Sequence, residues 1–386
     1  MAADRDLALV LSGGGMNGVL LELGFLRRLR EDPLWERVGF IYGTSAGALT
    51  GTMAALDRLD DLERFLMALQ ARETFRPHRL WRLPFLGLHD YALPDTIAER
   101  LGPTERLAAD LTVAEIELVV VATDVSDHSG EGGDERTFEL VWSSRTAPPE
   151  EMGRAVLASA AISALVLPLR VGGFVATDGG WVRNYPLAHA YAEPRVRGIV
   201  SFRYVPRYPR LGAEPIERLR RRLRRFRAVP PVKAFDEELE EAEERIRRGE
   251  PGHLPEMIVR LMRVAISRNT LLEERWADDR DGSVRELARL RADVLEVVRE
   301  QAGTEAAAAV EQRFADARFP FRHDRELPRI TVRATSGEES LDPGFRTQRP
   351  WTEEAKRTLI ERGYRLTDEA LSSADAGALA SAAERK

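Results

Sequence analysis

Short apolar runs alternate with helical patterns over the first half of the chain. The helical patterns cover Ala46–Leu56, Asp57–Arg72 and Arg154–Ser163. The apolar runs have the length and composition of buried strands. They are Leu7–Leu11, Phe40–Tyr42, Val119–Ala122, Thr137–Trp142, Phe174–Asp178 and Gly198–Phe202. This alternation predicts an α/β domain whose strands share one sheet.

The composition changes after about residue 205. Arginine and glutamate become frequent there, glycine becomes scarce, and helical periods replace short strands. We predict helices at about 235–248, 255–276, 283–301 and 304–317, then a strand at Ile330–Val332 and a helix at Thr352–Arg362. The predicted organisation is an α/β domain over 1–205, a charged helical region over 206–326, a returning strand and closing helix packed on the first domain over 327–371, and a flexible tail over 372–386.

The overall composition narrows the classes of function. With 386 residues, of which 44% are hydrophobic, the chain can bury a large core. Its net charge of -6 argues against a nucleic-acid partner. The absence of cysteine excludes disulfides, thiolate metal sites and thiol catalysis. No motif indicates a metal site or a cofactor, and the sequence leaves the oligomeric state open.

Targeting signals are not evident in the sequence. The residues before Leu7 include two aspartates and lack the basic start of a signal peptide. The longest uncharged stretch, 38–56, contains four glycines and is a poor membrane span. We therefore expect a cytoplasmic protein.

Ser45 lies on a glycine-flanked turn between a predicted strand and a predicted helix. Gly43 and Gly47 provide room where a side chain would crowd such a turn. The amides and dipole at the start of the following helix favour negative charge beside the serine hydroxyl. A G-x-S-x-G pattern alone is weak evidence, and a purely structural turn is an equal alternative.

A second glycine-rich turn follows the first strand. Residues 12–18 read Ser-Gly-Gly-Gly-Met-Asn-Gly, and bare glycine amides at a strand–helix junction can bind a phosphate or an oxyanion. Gly13, Gly15 and Gly18 also fit the G-x-G-x-x-G spacing of a dinucleotide site. That site would need an acidic residue at the end of the second strand, where this chain instead has Gly43-Thr44-Ser45. A turn that only allows close packing is the remaining alternative.

Asp178 is the third candidate side chain. It ends a predicted strand and precedes Gly179 and Gly180, which leave its carboxylate little covered. An Asp-Gly pair is also a common turn signal, so a structural role is the alternative.

Taken together, these segments resemble the patatin-like phospholipase family. The similarity is carried by Gly13-Gly-Gly-Met-Asn-Gly18, Gly43-Thr-Ser-Ala-Gly47, Ala158-Ser-Ala-Ala-Ile162 and Asp178-Gly-Gly180, the last followed by Asn184 and Pro186. The motifs stand in the family's order over about residues 7–205, and the helices of 206–326 are not covered.

The resemblance implies a three-layer α/β/α sandwich with a mostly parallel central sheet, followed by a C-terminal helical region. It also implies a serine–aspartate dyad in which Ser45 is the nucleophile and Asp178 is the base. The amides of Gly13, Gly14, Gly15 and Met16 would form the oxyanion hole. From the sequence alone, a triad that uses His189 is an alternative, because histidine is the usual partner of a catalytic serine.

Two positions depart from the family pattern. Asn17 stands where the family usually has arginine or lysine, so the glycine loop brings no positive charge to an anion. Ser163 stands where the family often has proline after the small-residue segment.

The hypothesis is therefore a lipid acyl hydrolase that cleaves carboxylic esters of phospholipids or lysophospholipids without a cofactor. The lipid substrate follows from the family, and a membrane surface is one place where the protein would meet it. An acyltransferase with the same dyad is one alternative. A catalytically weak relative that binds lipid or a partner protein is another.

Two further segments have weaker functional interpretations. The aromatic, basic stretch 75–88 is either a lid or a loop over the core. The arginine-rich helix near 216–227 is either a lipid-binding helix or a docked helix neutralised by the acidic run 236–244.

Overall fold

The structure is a computed structural model that describes residues 5–78, 89–128, 138–162, 165–205, 214–226, 228–251, 254–317, 326–335, 341, 351–372 and 379. These residues belong to two compact units. The first unit comprises Met1–Pro206 and Asn269–Lys386, and the second comprises Arg207–Arg268.

An eight-stranded sheet organises the described part of the first unit. Its order is β10-β9-β1-β2-β5-β8-β7, and β6 pairs with β5. The strands are β1 (Leu7–Leu11), β2 (Val38–Thr44), β5 (Glu117–Asp124), β6 (Glu139–Ser143), β7 (Leu169–Val171), β8 (Phe174–Asp178), β9 (Gly198–Val205) and β10 (Arg329–Thr335). The pairs from β10 through β5 are parallel, and the pairs among β5, β6, β7 and β8 are antiparallel. Two short strands, β3 (Phe75–Pro77) and β4 (His89–Tyr91), form a separate antiparallel pair.

The helices of the first unit cover both faces of this sheet. Up to residue 192 they are α1 (Gly15–Arg30), α2 (Ala46–Ala55), α3 (Leu59–Ala68), α4 (Ala71–Thr74), α5 (Leu93–Arg100), α6 (Thr104–Val113), α7 (Pro149–Ser159), α8 (Gly180–Arg183) and α9 (Leu187–Ala192), with a 3₁₀ helix at Pro33–Arg37. Strand β1 is buried on both faces, so the sheet needs a layer of helices on each side. Leu7, Leu9 and Leu11 join one hydrophobic cluster, and Ala8 and Val10 join another. The predicted three-layer α/β/α class with a mostly parallel sheet is confirmed.

The end of the chain returns to this sheet. Strand β10 pairs with β9, with Ile330 opposite Val200. Helix α13 (Glu353–Leu371) buries Leu359 and Ile360 in the same cluster as α1. The boundaries of the four predicted regions stay a prediction.

The helical region differs from its predicted pattern. Helices predicted at 255–276 and 283–301 are one element, α12 (Leu254–Asp316). Between them, residues 277–282 stay helical, and Ala277, Arg280 and Asp281 are buried. The predicted break near residue 302 does occur, at Gly303, whose φ of 87° lies outside the helical region.

The second unit contains two further helices, α10 (Glu214–Leu223) and α11 (Pro230–Arg247). Arg220 on α10 contacts three carboxylates of α11, those of Asp236, Glu240 and Glu243, at 3.1, 2.9 and 2.7 Å. The acidic run therefore neutralises at least this arginine, in line with the docked-helix interpretation.

Several expectations concern residues outside the described part of the chain. They are most of the aromatic loop (79–88), Ser163, and most of the predicted tail, of which only Ser372 and Leu379 are described. Leu379 is fully buried. Among the described helices, none has both the length and the apolar composition to cross a membrane.

Candidate active site

Ser45 occupies a one-residue turn between β2 and α2. Its φ and ψ are 53° and −114°, a backbone conformation that non-glycine residues rarely adopt. The turn holds the serine at the carboxyl end of a central parallel strand, where open α/β sheets place their ligands. Strain of this kind is concentrated at functional sites, which makes the end of β2 a candidate for one.

Gly43 and Gly47 make this sharp turn possible. A Cβ atom on Gly43 would lie 2.4 Å from the carbonyl oxygen of Gly47. One on Gly47 would lie 2.4 Å from the carbonyl oxygen of Leu11 on the neighbouring strand. Any side chain at these positions would push α2 away from the sheet, so the close approach requires glycine.

Asp178 at the end of β8 lies within hydrogen-bonding distance of Ser45. The Ser45 hydroxyl donates to Oδ2 of Asp178 at 2.7 Å, and the Gly180 amide donates to Oδ1 at 2.7 Å. Both side chains are buried, with 6% and 7% of their surface exposed. The structure thus brings together two residues that are 133 positions apart in the sequence.

Burial changes the acidity of this carboxyl group. Removal from water raises the pKa of Asp178 to about 6, and the hydrogen bonds from Ser45 and Gly180 oppose the rise. Burial, together with the charge of this carboxylate, raises the pKa of Tyr91, whose hydroxyl donates to the Leu157 carbonyl at 3.0 Å. A carboxylate with this pKa is a stronger base than an ordinary aspartate and is still mostly ionised at neutral pH.

The glycine loop after β1 borders the same space. The amide of Gly13 donates to the Asn184 carbonyl at 2.9 Å. The amides of Gly14, Gly15 and Met16 have no hydrogen-bond partner within the described ranges. A Cβ atom on Gly13 would lie 3.2 Å from Cβ of Ser45, so the loop contacts the serine directly. The start of α1 can therefore accept an anion beside Ser45.

His189 is placed elsewhere. Its Nε2 lies 2.7 Å from Oε1 of Glu139, and its ring stacks on Tyr42. The partner of His189 is thus Glu139, whereas the partner of Ser45 is Asp178. The end of β2, where a dinucleotide site would have an acidic side chain, carries Ser45.

A family of known proteins matches the segment that contains Ser45, Asp178 and the glycine loop. The family model described as patatin-like phospholipase matches residues 9–191. That segment is a patatin-like phospholipase domain. No curated protein matches the sequence significantly. Among solved structures, twelve chains match. One is the crystal structure of VipD from Legionella pneumophila, with 15% identity, coverage of 96% of this chain and 67% of that chain, and a TM-score of 0.40.

The family supports lipid acyl hydrolysis in general. The patatin-like domain brings Ser45, Asp178 and the glycine loop to one place, and the remaining motif glycines lie at its turns. Gly18 is in the first turn of α1, and Gly179 links Asp178 to the amide of Gly180. Within the described residues, no group of three or more acidic or histidine side chains could hold a metal ion.

Asn17, the departure from the family pattern, has a different environment from the one expected. It is fully buried in the patatin-like domain, and its amide donates to the Tyr204 hydroxyl at 3.2 Å. Its carbonyl oxygen accepts from the Leu341 amide at 2.8 Å. Asn17 thus joins α1 to a distant part of the chain.

Ser159 was not singled out from the sequence except within its small-residue segment. Its hydroxyl accepts from the Ser45 amide at 2.8 Å and donates to the Val121 carbonyl at 2.6 Å. Ser159 is fully buried, and its hydrogen bond to the Ser45 amide supports the strained backbone at that residue. Small residues in this stretch were the only sequence signal for it.

Proposed function

We propose that the protein is a serine esterase that cleaves carboxylic ester bonds of phospholipids or lysophospholipids through an acyl-enzyme on Ser45. The observation that carries the proposal is the 2.7 Å hydrogen bond from Ser45 Oγ to Asp178 Oδ2 in a buried site. A hydroxyl that donates to a base of pKa about 6 has a proton acceptor already in position.

The proposed reaction has two halves. In the first, Ser45 Oγ attacks the ester carbonyl carbon as its proton passes to Asp178. The tetrahedral intermediate then collapses, and the departing alcohol takes the proton from Asp178. In the second, Asp178 takes a proton from water, whose oxygen attacks the acyl carbon and releases a fatty acid. As the intermediate of this second half collapses, the bond between Ser45 Oγ and the acyl carbon breaks and Asp178 gives its proton to Ser45 Oγ. Only the complete cycle therefore restores both residues to their starting states.

The oxyanion formed in each half needs hydrogen-bond donors. We assign this role to the amides of Gly14, Gly15 and Met16, because the Gly13 amide already donates to Asn184. One such donor is typically worth about 3 kcal/mol in the transition state. The start of α1 adds its dipole without a charged side chain, consistent with Asn17 being turned to Tyr204 and Leu341.

The test combines turnover with covalent labelling. Purified protein is assayed on vesicles of phospholipid and micelles of lysophospholipid, with fatty acid release measured by mass spectrometry. A fluorophosphonate probe should label wild-type protein at Ser45, and Ser45→Ala should neither label nor release fatty acid. If the wild type labels and releases no fatty acid, but transfers the acyl group to an added alcohol to form a new ester, the protein is an acyltransferase. If the wild type neither labels nor turns over any ester, the proposal is wrong and the binding alternative is favoured.

A further inference from the structure

Two adjacent residues of α12, Asn269 and Thr270, contact the patatin-like domain beside its proposed dyad. They belong to the same compact unit as that domain but lie outside the segment that matches the family model. Neither residue belongs to a sequence motif. Asn269 contacts Gly180, which lies 89 positions away in the sequence. Their hydrogen bonds to Gly180, Trp181 and Asn184 fall on the stretch that follows Asp178.

The Asn269 side chain holds the short helix α8 through three backbone groups. Its amide nitrogen donates to the carbonyls of Gly180 and Trp181 at 2.7 and 3.2 Å. Its carbonyl oxygen accepts from the Asn184 amide at 3.1 Å. A helix of four residues has too few internal hydrogen bonds to be stable by itself, and its last carbonyls need partners from outside. Asn269 supplies a partner to two of the four carbonyls, those of Gly180 and Trp181.

Thr270 continues the contact toward the glycine loop. Its hydroxyl accepts from the Asn184 side-chain amide at 3.1 Å, and the side chains of both residues are buried. The Asn184 carbonyl in turn accepts from the Gly13 amide at 2.9 Å. A Cβ atom on Gly13 would lie only 2.3 Å from Asn184 Oδ1, so the two residues are closely packed. A shift of Asn184 would therefore move the glycine loop.

These contacts reach both halves of the proposed site. On one side, Asn269 donates to the carbonyl of Gly180. The amide of the same glycine donates to Oδ1 of Asp178 at 2.7 Å. On the other, Gly13 is anchored by Asn184 and contacts Ser45. The two α12 side chains therefore fix the relative positions of the carboxylate, the serine and the start of α1.

We propose that Asn269 and Thr270 are positioning residues for the Ser45–Asp178 site, so that a helix outside the matched segment completes the catalytic geometry. The proposal rests on the proposed function. Neither residue touches substrate or the reacting atoms, and their effect passes through Gly180 and Asn184. A displacement of about 1 Å at a reacting group can cost about 100-fold in rate, which sets the scale of the expected effect.

The test compares substitutions that remove a hydrogen bond with substitutions that keep it, so that the effect of the hydrogen bond is distinguished from the effect of side-chain packing. Thr270→Val removes the hydroxyl at constant shape, and Thr270→Ser keeps the hydroxyl. Asn269→Ala removes all three contacts. Leu271→Ala, at a neighbouring exposed position of α12, is the matched control. Each variant is assayed for kcat and KM on a soluble p-nitrophenyl ester, for the pH dependence of kcat, and for thermal unfolding.

We expect Asn269→Ala to lower kcat by about 10- to 100-fold with KM changed less than threefold. The pH at which kcat is half-maximal should rise, because the Gly180 amide lowers the pKa of Asp178 and would be misaligned. Thr270→Val should lose about 10-fold in kcat, while Thr270→Ser and Leu271→Ala stay within twofold of wild type.

The outcomes separate this proposal from the proposed function. If wild type turns over the ester but Thr270→Val and Asn269→Ala keep wild-type kcat and pH dependence, the positioning role is wrong and the esterase assignment stands. A loss of kcat in Thr270→Val equal to that in Thr270→Ser would also overturn it. If Asn269→Ala does not fold, the comparison of Thr270→Val with Thr270→Ser tests the positioning role. If wild type and Ser45→Ala are equally inactive, the proposed function itself fails.

Discussion

Two strand–turn–helix junctions lie side by side at one edge of the sheet and present opposite kinds of group. The junction after β1 has glycines at 13–15 and presents backbone amides. The junction after β2 has a single residue, Ser45, and presents a hydroxyl. The strands are parallel neighbours, with Leu11 opposite Gly43, so the two turns face the same space. One architecture thus supplies both the proposed nucleophile and the proposed oxyanion donors, with a turn of three residues, 12–14, after β1 and of one residue after β2.

The largest effect should come from the second junction. Ser45→Ala removes the proposed nucleophile, and we expect ester turnover to fall by roughly 10⁴- to 10⁶-fold, to the background of the assay. Residual turnover is measured with protein purified in parallel with wild type. Activity within tenfold of wild type would assign the nucleophile to another residue.

Asp178→Asn should come next. The amide preserves the shape of the side chain but cannot take a proton, so kcat should fall by about 10²- to 10⁴-fold. The same change should stabilise the protein. The folded-state pKa of Asp178, about 6, exceeds its ordinary value of 3.8, so ionising this group opposes folding.

This stability effect has a defined pH window. The cost of ionising Asp178 is absent below about pH 4 and reaches about 3 kcal/mol above about pH 6, from a shift of about two pH units. Urea unfolding at pH 5 and pH 8 measures it. At pH 8, Asp178→Asn should be more stable than wild type. Equal pH dependence in both proteins would show that Asp178 carries no such cost.

The first junction offers a matched pair of glycine substitutions. A methyl group at position 13 would lie 2.3 Å from Asn184 Oδ1 and 3.2 Å from Ser45 Cβ, whereas one at position 18 would lie 3.5 Å from its nearest neighbour, Ala46 Cβ. We expect Gly13→Ala to lower kcat about 10- to 100-fold. Gly18→Ala should leave kcat within threefold and raise stability by about 0.5–1 kcal/mol, because alanine favours the helix. Equal losses in the two variants would contradict the assigned geometry of the loop.

The smallest expected effect on activity is at Asn17. Its side chain bonds with Tyr204 and Leu341 instead of facing an anion. Asn17→Ala should therefore cost about 1–3 kcal/mol in unfolding free energy, since it leaves buried groups unpaired, while kcat changes by only a few-fold. Thermal unfolding and ester turnover on the same sample test this. A loss of activity without a loss of stability would place Asn17 in the site.

The two junctions were predictable from the sequence because each is built from local signals. Apolar runs, glycines and a following helical pattern fixed the expected positions of Ser45, the glycine loop and Asp178. The support for these residues was not predictable in the same way. Ser159, Asn184 and Asn269 act through hydrogen bonds over long sequence separations, and a polar residue in a helical pattern gives no sign of its distant partner.

The helical region shows a second limit of local patterns. Residues 277–282 fall between the helices predicted at 255–276 and 283–301. In the fold, the first of these residues, Ala277, packs in the cluster that contains Tyr191, and Arg329 pairs with Asp278. Tertiary contacts of this kind keep α12 continuous where propensity alone suggests a break.

The most direct test of the account is the pH dependence of Ser45 labelling by a fluorophosphonate, compared between wild type and Asp178→Asn. The labelling rate of wild type should rise with pH, reach half its plateau near pH 6, and map to Ser45 by peptide mass spectrometry. Asp178→Asn should label at least about 100-fold more slowly and without that transition. Labelling of Asp178→Asn at the wild-type rate, or with the same transition near pH 6, would contradict the claim that Asp178 activates Ser45.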